Sequence, residues 1–242
     1  MPKRISPSTH QSETQADQAL LTELNEVDAE IRAVLSDLFP PFSQMIDARR
    51  RTLGAMKRAA IVLTAGIGVP ETDELHAKRV SLAAALEMLH LALAVHMAIG
   101  EISVTDTVQY QSLLGSTILA GDYCFSRSAD LAVRTGDPVV VEIFSEALKR
   151  VSEANLRRFF EPSALHLEED SELFLAGIAA AGQLTGTSAT LQSAQSQLVS
   201  DLARTQSPVV HLQTLADAAV FAALSPLQRA RWQALIEWFS TK

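Results

Sequence analysis

Residues 82–101 read LAAALEMLHLALAVHMAIGE, and no other stretch of this chain restricts its fold as tightly. Nearly every position is apolar; the polar exceptions are Glu87, His90, His96 and Glu101. A helix turns about 100° per residue, so Glu87, His90 and Glu101 fall within about 60° of one another, as a narrow polar stripe. A helix apolar nearly all round belongs at the centre of a protein. Its polar groups must then meet a cavity, a partner or satisfied hydrogen bonds. Glu87, His90 and His96 are therefore expected to face a cavity. The stripe is too polar for a membrane span.

The remaining composition suits helices wrapped around such a centre. Of 242 residues, 48% are hydrophobic and only 5% aromatic, a bias toward helix over sheet. The length allows one large domain or two small ones. A net charge of −8 argues against nonspecific binding to nucleic acid or an anionic membrane surface. Cys124 is the only cysteine, which rules out an internal disulfide framework and a cysteine-based zinc site. A small core residue is the better reading of it than a nucleophile. Lys3 and Arg4 have no apolar run behind them, so no signal peptide is expected and a cytoplasmic location is.

Residues 1–16 are rich in Ser, Thr, Gln and Pro and are expected to be a disordered tail ahead of one helical domain over 17–242. Helices are predicted over about 17–39, ended by Pro40 and Pro41, and over about 42–64, ended by Gly66, Gly68 and Pro70. Thr72 or Asp73 can cap the central helix. Further helices are predicted over about 108–133, 138–160, 170–184, 188–204 and 208–224. A last one follows Ser225 as cap with Pro226 first inside. No segment alternates long enough for a strand; Val139–Val141, behind Pro138, fit a helix start equally well. The fold class predicted is all-α, about nine helices in one bundle.

Several strings resemble the trans-isoprenyl diphosphate synthases. Their central helix reads roughly E-x-x-H-x-A-S-L-x-H-D-D-x-x-D, and Glu87, His90, Ala92 and His96 match it. Ile118–Tyr123, ILAGDY, matches without gaps the end of the family's G-x-x-x-A-I-L-A-G-D-Y element. Gly54–Ala59 stands at its G-K-x-x-R-P, and Ser152-Glu153 at its Gly-Glu pair. The resemblance covers roughly residues 40–185 and implies a helical bundle of the isoprenoid synthase type, shortened at the C-terminus. Its members ionise an allylic diphosphate with magnesium held by two Asp-rich motifs.

Measured against that pattern, the chemistry is removed. The first two motif aspartates are Met97 and Ala98, leaving Glu101 as a lone carboxylate. Magnesium wants oxygen ligands, which a thioether and a methyl group cannot supply. No Asp-Asp pair follows Asp170 to make a second motif; Asp201 and Asp217 stand alone. Ala55 replaces the lysine of the isopentenyl diphosphate site, leaving Arg58 as the residual diphosphate contact. No arginine pair lies within 102–111, and Glu169-Asp170 reverses the charge of the expected Lys-Thr pair.

The basic run Arg49, Arg50, Arg51, Lys57 and Arg58 can hold an anion or pair with acids on a solvated face. His166, Glu168, Glu169, Asp170 and Glu172 can imitate a metal site or form the acidic first turn of a helix. The resemblance implies a non-catalytic small subunit of a heteromeric polyprenyl diphosphate synthase, itself binding no cofactor. Its catalytic partner would hold the magnesium, in a heterodimer or heterotetramer, with the prenyl chain of the product as a further possible contact. The implied product is a long prenyl diphosphate for a quinone side chain. The implied interface lies on the helices at 108–133 and 138–160, with Ile118, Val140 and Phe144 as candidates. Two other classes stay open: a prenyltransferase or terpene synthase with an altered metal site, and a stand-alone helical scaffold or lipid-binding protein.

Overall fold

The central helix starts where Thr72 lets it start. The Thr72 hydroxyl accepts the Leu75 N–H at 3.1 Å, and Asp73 and Glu74 supply negative charge in the first turn. The computed structural model describes residues 7–68, 70–101, 107–160, 169–204 and 224–240. Its helices in chain order are α1 (Pro7–Ser36), α2 (Pro40–Leu53), α3 (Lys57–Ala65) and the central α4 (Asp73–Met97). A 3-10 turn, Ala98–Glu101, extends α4. Then come α5 (Thr107–Val133), α6 (Pro138–Phe160), α7 (Glu169–Thr185), α8 (Ala189–Arg204) and α9 (Pro226–Ser240). No strand occurs among the described residues, and Val139–Val141 open α6.

Two boundaries differ from the sequence reading. The tail predicted over 1–16 becomes helix from Pro7 onward, a residue suited to a first helical position. The helix predicted over 42–64 is two helices, because Gly54 between α2 and α3 has φ of 75°. Only glycine adopts that conformation at little cost. The helix predicted over 208–224 lies outside the described residues, apart from the buried Leu224 at its end.

α4 is surrounded by α1, α2, α3, α5 and α7, with its longest contact along α5. Leu82, Ala83, Ala84, Ala85, Leu86, Met88 and Leu89 are each at most 1% exposed. Each such Leu or Met stabilises the fold by roughly 1.5–3 kcal/mol relative to an exposed one. α4 with its 3-10 turn is the one helix among the described residues long and apolar enough to cross a membrane. Yet 67% of its most apolar window is buried inside the protein.

α9 returns to cover α1 and α3. Ser225 and Gln228 cap it reciprocally: the Gln228 N–H donates to Ser225 Oγ at 3.3 Å, and the Ser225 N–H to Gln228 Oε1 at 2.9 Å. Trp232, Leu235 and Ile236 enter the core.

Candidate functional site

The last turn of α4 carries Met97, 43% exposed, followed by Ala98 in the 3-10 turn. These two side chains offer no oxygen to a hard cation, so the donor set here does not fit magnesium. The placement of the Glu101 side chain lies outside the described residues.

Below this end the polar stripe meets charge rather than space. Glu87 is 8% exposed, and its Oε1 accepts the Ala59 N–H at 3.0 Å, satisfying one of the free amides at the start of α3. Its Oε2 lies 3.7 Å from Arg58. Arg58 is 4% exposed; it donates to Asp170 at the start of α7, and its guanidinium lies 5.9 Å from the Phe174 ring centroid. His90 Nδ1 shares a hydrogen bond of 2.7 Å with Glu169 Oε1. Glu172 lies 3.3 Å from Arg150 on α6. The first turn of α7 thus clasps three helices at once. At about 100° per residue, carboxylates at 169, 170 and 172 fan out in three directions, so each finds a different neighbour. Arg58, expected as a residual diphosphate contact, has its guanidinium engaged by this chain's own carboxylates.

His96 lies on the opposite side of α4, about 180° from Glu87. Its ring packs on the backbone of α5 at Gly121, where a Cβ would fall 1.9 Å from His96 Cδ2. Phe125 tilts against the ring at 5.2 Å, and Asp122 Oδ1 lies 3.4 Å from its Nε2. So the stripe and His96 do not converge on a common cavity. Glu87 and His90 face α3 and α7, while His96 locks α4 to α5. That lock explains the Gly-Asp pair of the ILAGDY string in structural terms, and sequence reasoning missed it. The available signal was the helical phase of His96.

The basic run disperses onto internal partners. Arg49 Nε donates to the Ala94 carbonyl at 3.2 Å, and Arg50 pairs with Asp28 and Asp47. Arg51 donates to Asp47 at 2.8 Å, and Lys57 lies 5.5 Å from the Phe239 ring centroid. Of the acidic group, His166 and Glu168 lie outside the described residues. A separate buried network joins α1, α4 and α9: Arg79, 1% exposed, donates to Glu23 at 2.8 Å, to the Leu63 carbonyl at 2.8 Å and to Glu71. Arg231 also lies on Glu23, and burial pushes its guanidinium down to about 10. Glu23, Glu71 and His76 come within 4.8 Å of one another, but the two arginines already neutralise those carboxylates. Cys124 is fully buried, and burial pushes its thiol up to about 12, so it is no nucleophile at neutral pH.

Two of the three expected interface positions are corrected. Val140 at 0% and Phe144 at 5% exposure belong to this chain's own core, because they lie on the face of α6 turned inward. Ile118 is at the surface, 39% exposed. Near it on α5 stand Leu119 at 63%, Leu113 at 40% and Val108 at 77% exposure. From Thr107 to Gly121 the helix has no charged residue.

No protein-family model and no curated protein matches this chain. Solved structures do. A decaprenyl diphosphate synthase from Rhodobacter capsulatus aligns with a TM-score of 0.64 and 23% identity, covering 93% of this chain and 79% of that one. A geranyltranstransferase from Thermotoga maritima aligns at 0.59 and 17%, covering 91% and 88%. Octaprenyl pyrophosphate synthase from Helicobacter pylori aligns at 0.57 and 15%, covering 91% and 85%. At these identities the likeness is one of fold: the chain has the all-α isoprenoid synthase fold.

Proposed function

We propose that this chain is a non-catalytic subunit of a heteromeric trans-polyprenyl diphosphate synthase, working in the cytoplasm beside a subunit that carries both Asp-rich motifs and the magnesium. The observation that carries this reading is the end of α4. Where the resemblance calls for two aspartates, the side chains are a thioether and a methyl group. Two further observations support it. Arg58, the residual diphosphate contact that the resemblance implies, is buried against Glu87 and Asp170. And the first half of α5 exposes Val108, Leu113, Ile118 and Leu119 without a single charge between Thr107 and Gly121. A soluble protein covers an apolar surface of that kind with a partner, and a permanent interface resembles a divided core.

The chain's role would be to complete the dimer and help set the length of a product used for a quinone side chain. The test is co-expression with a chain bearing two intact Asp-Asp-x-x-Asp motifs. The pair should co-purify and elongate farnesyl diphosphate, whereas neither chain alone should make the long product. Full activity of the motif-bearing chain alone, with no association, would overturn the proposal.

A further inference from the structure

Three arginines share two carboxylates where α2 runs past the end of α1. Arg50 donates to both Asp28 and Asp47, Arg32 lies 2.5 Å from Asp28, and Arg51 donates to Asp47 at 2.8 Å. Each carboxylate gives one oxygen to Arg50 and the other to an outer arginine. The side chains of Arg32 on α1 and Arg51 on α2 are each 68% exposed, and both line a groove of about 630 Å³ between the two helices. We propose that this groove docks an acidic segment of a protein partner, whose carboxylates Arg32 and Arg51 take. The identity of that partner rests on the reading above, in which it is the catalytic subunit.

Three features support it. The first is a local surplus of positive charge in a chain of net charge −8. In these pairs each outer arginine spends one terminal nitrogen, whereas a guanidinium carries several donors in a fork that matches a carboxylate. Arg50, only 23% exposed, stays on Asp28 and Asp47, so Arg32 and Arg51 can turn to a further anion without stranding either acid. The second is the lining, which favours a peptide over a phosphate. The hydroxyls of Ser36 and Ser43 already donate to the carbonyls of Ala33 and Pro40, at 2.7 Å and 3.0 Å. What they offer an occupant is lone pairs, to which an acceptor-rich phosphate has little to give. A peptide brings N–H donors together with its carboxylates, and the buried Leu35 gives it an apolar contact. The third is position. The end of α1 is tied to α5, because Tyr123 donates to the Val34 carbonyl at 2.8 Å and Arg127 lies 3.5 Å from Asp37. α2 also packs on α5, so a partner lying on the exposed face of α5 is within reach of the groove.

The test has two arms. In the first, a fluorescently labelled hexaglutamate peptide is titrated with the full chain at low ionic strength and followed by anisotropy. The wild type should bind it, and Arg32→Gln/Arg51→Gln should weaken binding at least about tenfold. Added salt should weaken it too, as for any exposed charge pairing. Circular dichroism should show the double variant folded, and each single variant, expected to lose part of the binding, serves if it is not. No binding by the wild type, equal binding by the folded variants, or displacement of the peptide by an equal concentration of inorganic pyrophosphate overturns the inference. In the second arm the same variants are co-expressed with a chain bearing two intact Asp-Asp-x-x-Asp motifs, and association should weaken in step with peptide binding. Association that the substitutions leave unchanged overturns the docking site and leaves the subunit reading standing. Peptide binding by a wild-type chain that associates with no motif-bearing chain overturns the subunit reading and upholds the acid-binding groove.

Discussion

His96 and Gly121 define each other. The ring sits where any Cβ at 121 would be, 1.9 Å from Cδ2 and 2.0 Å from Nε2. Gly121→Ala should therefore force α4 and α5 apart or expel the ring, at a cost of about 1–3 kcal/mol, the usual range for overpacking. Chemical denaturation of the variant measures it. The same substitution in a His96→Ala background should cost far less, since the double-mutant cycle removes the collision. Cys124 offers a second residue-level check. It is buried with its thiol pushed up to about 12, so iodoacetamide at pH 8 should leave the native chain unmodified. Alkylation should appear only once denaturant unfolds it; rapid labelling of the native state would contradict the burial.

At the scale of elements, α5 and α6 divide the work differently from what their apolar content suggests. α6 turns Val140, Phe144, Ala147 and Val151 into the core and shows solvent Glu142, Glu146, Lys149 and Glu153. α5 buries Ala120, Gly121, Cys124 and Ser128 and shows its larger apolar side chains in its first half. Leu119→Glu should thus leave the isolated chain's circular dichroism and melting unchanged while abolishing association with a catalytic partner. Val140→Glu should instead destabilise the chain itself by several kcal/mol, because it strands a charge in the core. Equal effects of both variants on association, with both chains fully folded, would place the partner surface elsewhere.

At the scale of the whole molecule, the chain has the all-α isoprenoid synthase fold, and the end of its central helix presents Met97 and Ala98, neither of which carries an oxygen ligand. The isolated chain incubated with magnesium, isopentenyl diphosphate and farnesyl diphosphate should show no turnover. A rate above roughly 1 s⁻¹, in the ordinary enzyme range, would refute a silent subunit. Restoring Met97→Asp and Ala98→Asp together should not rescue it. One carboxylate pair supplies only one side of a metal cluster, and Arg58 stays engaged by Asp170 and Glu87. Robust product from that variant would mean that a second set of ligands exists in this chain.

What the sequence determined by itself is what depends on neighbours a few residues apart. A cap at Thr72 or Asp73, the start at Pro138, the cap at Ser225 with Pro226 first inside, and the apolar course of α4 were all legible, while the return bond from Gln228 came only with the structure. So was the lack of oxygen ligands at Met97 and Ala98, which is a matter of residue identity. What the tertiary structure decided is how the helices face one another. Gly54 inside an amphipathic run is compatible with one helix or two, and only the packing of α3 against α4 and α7 settles on the break at φ 75°. The acids of α7 read as favourable charge at a helix start, yet their partners Arg58, His90 and Arg150 lie on three other helices. Val139 and Val140 are adjacent and chemically identical, but one is 42% exposed and the other fully buried. Helix capping is a local free energy, whereas the rotation and height at which helices dock follow from burying the whole core at once.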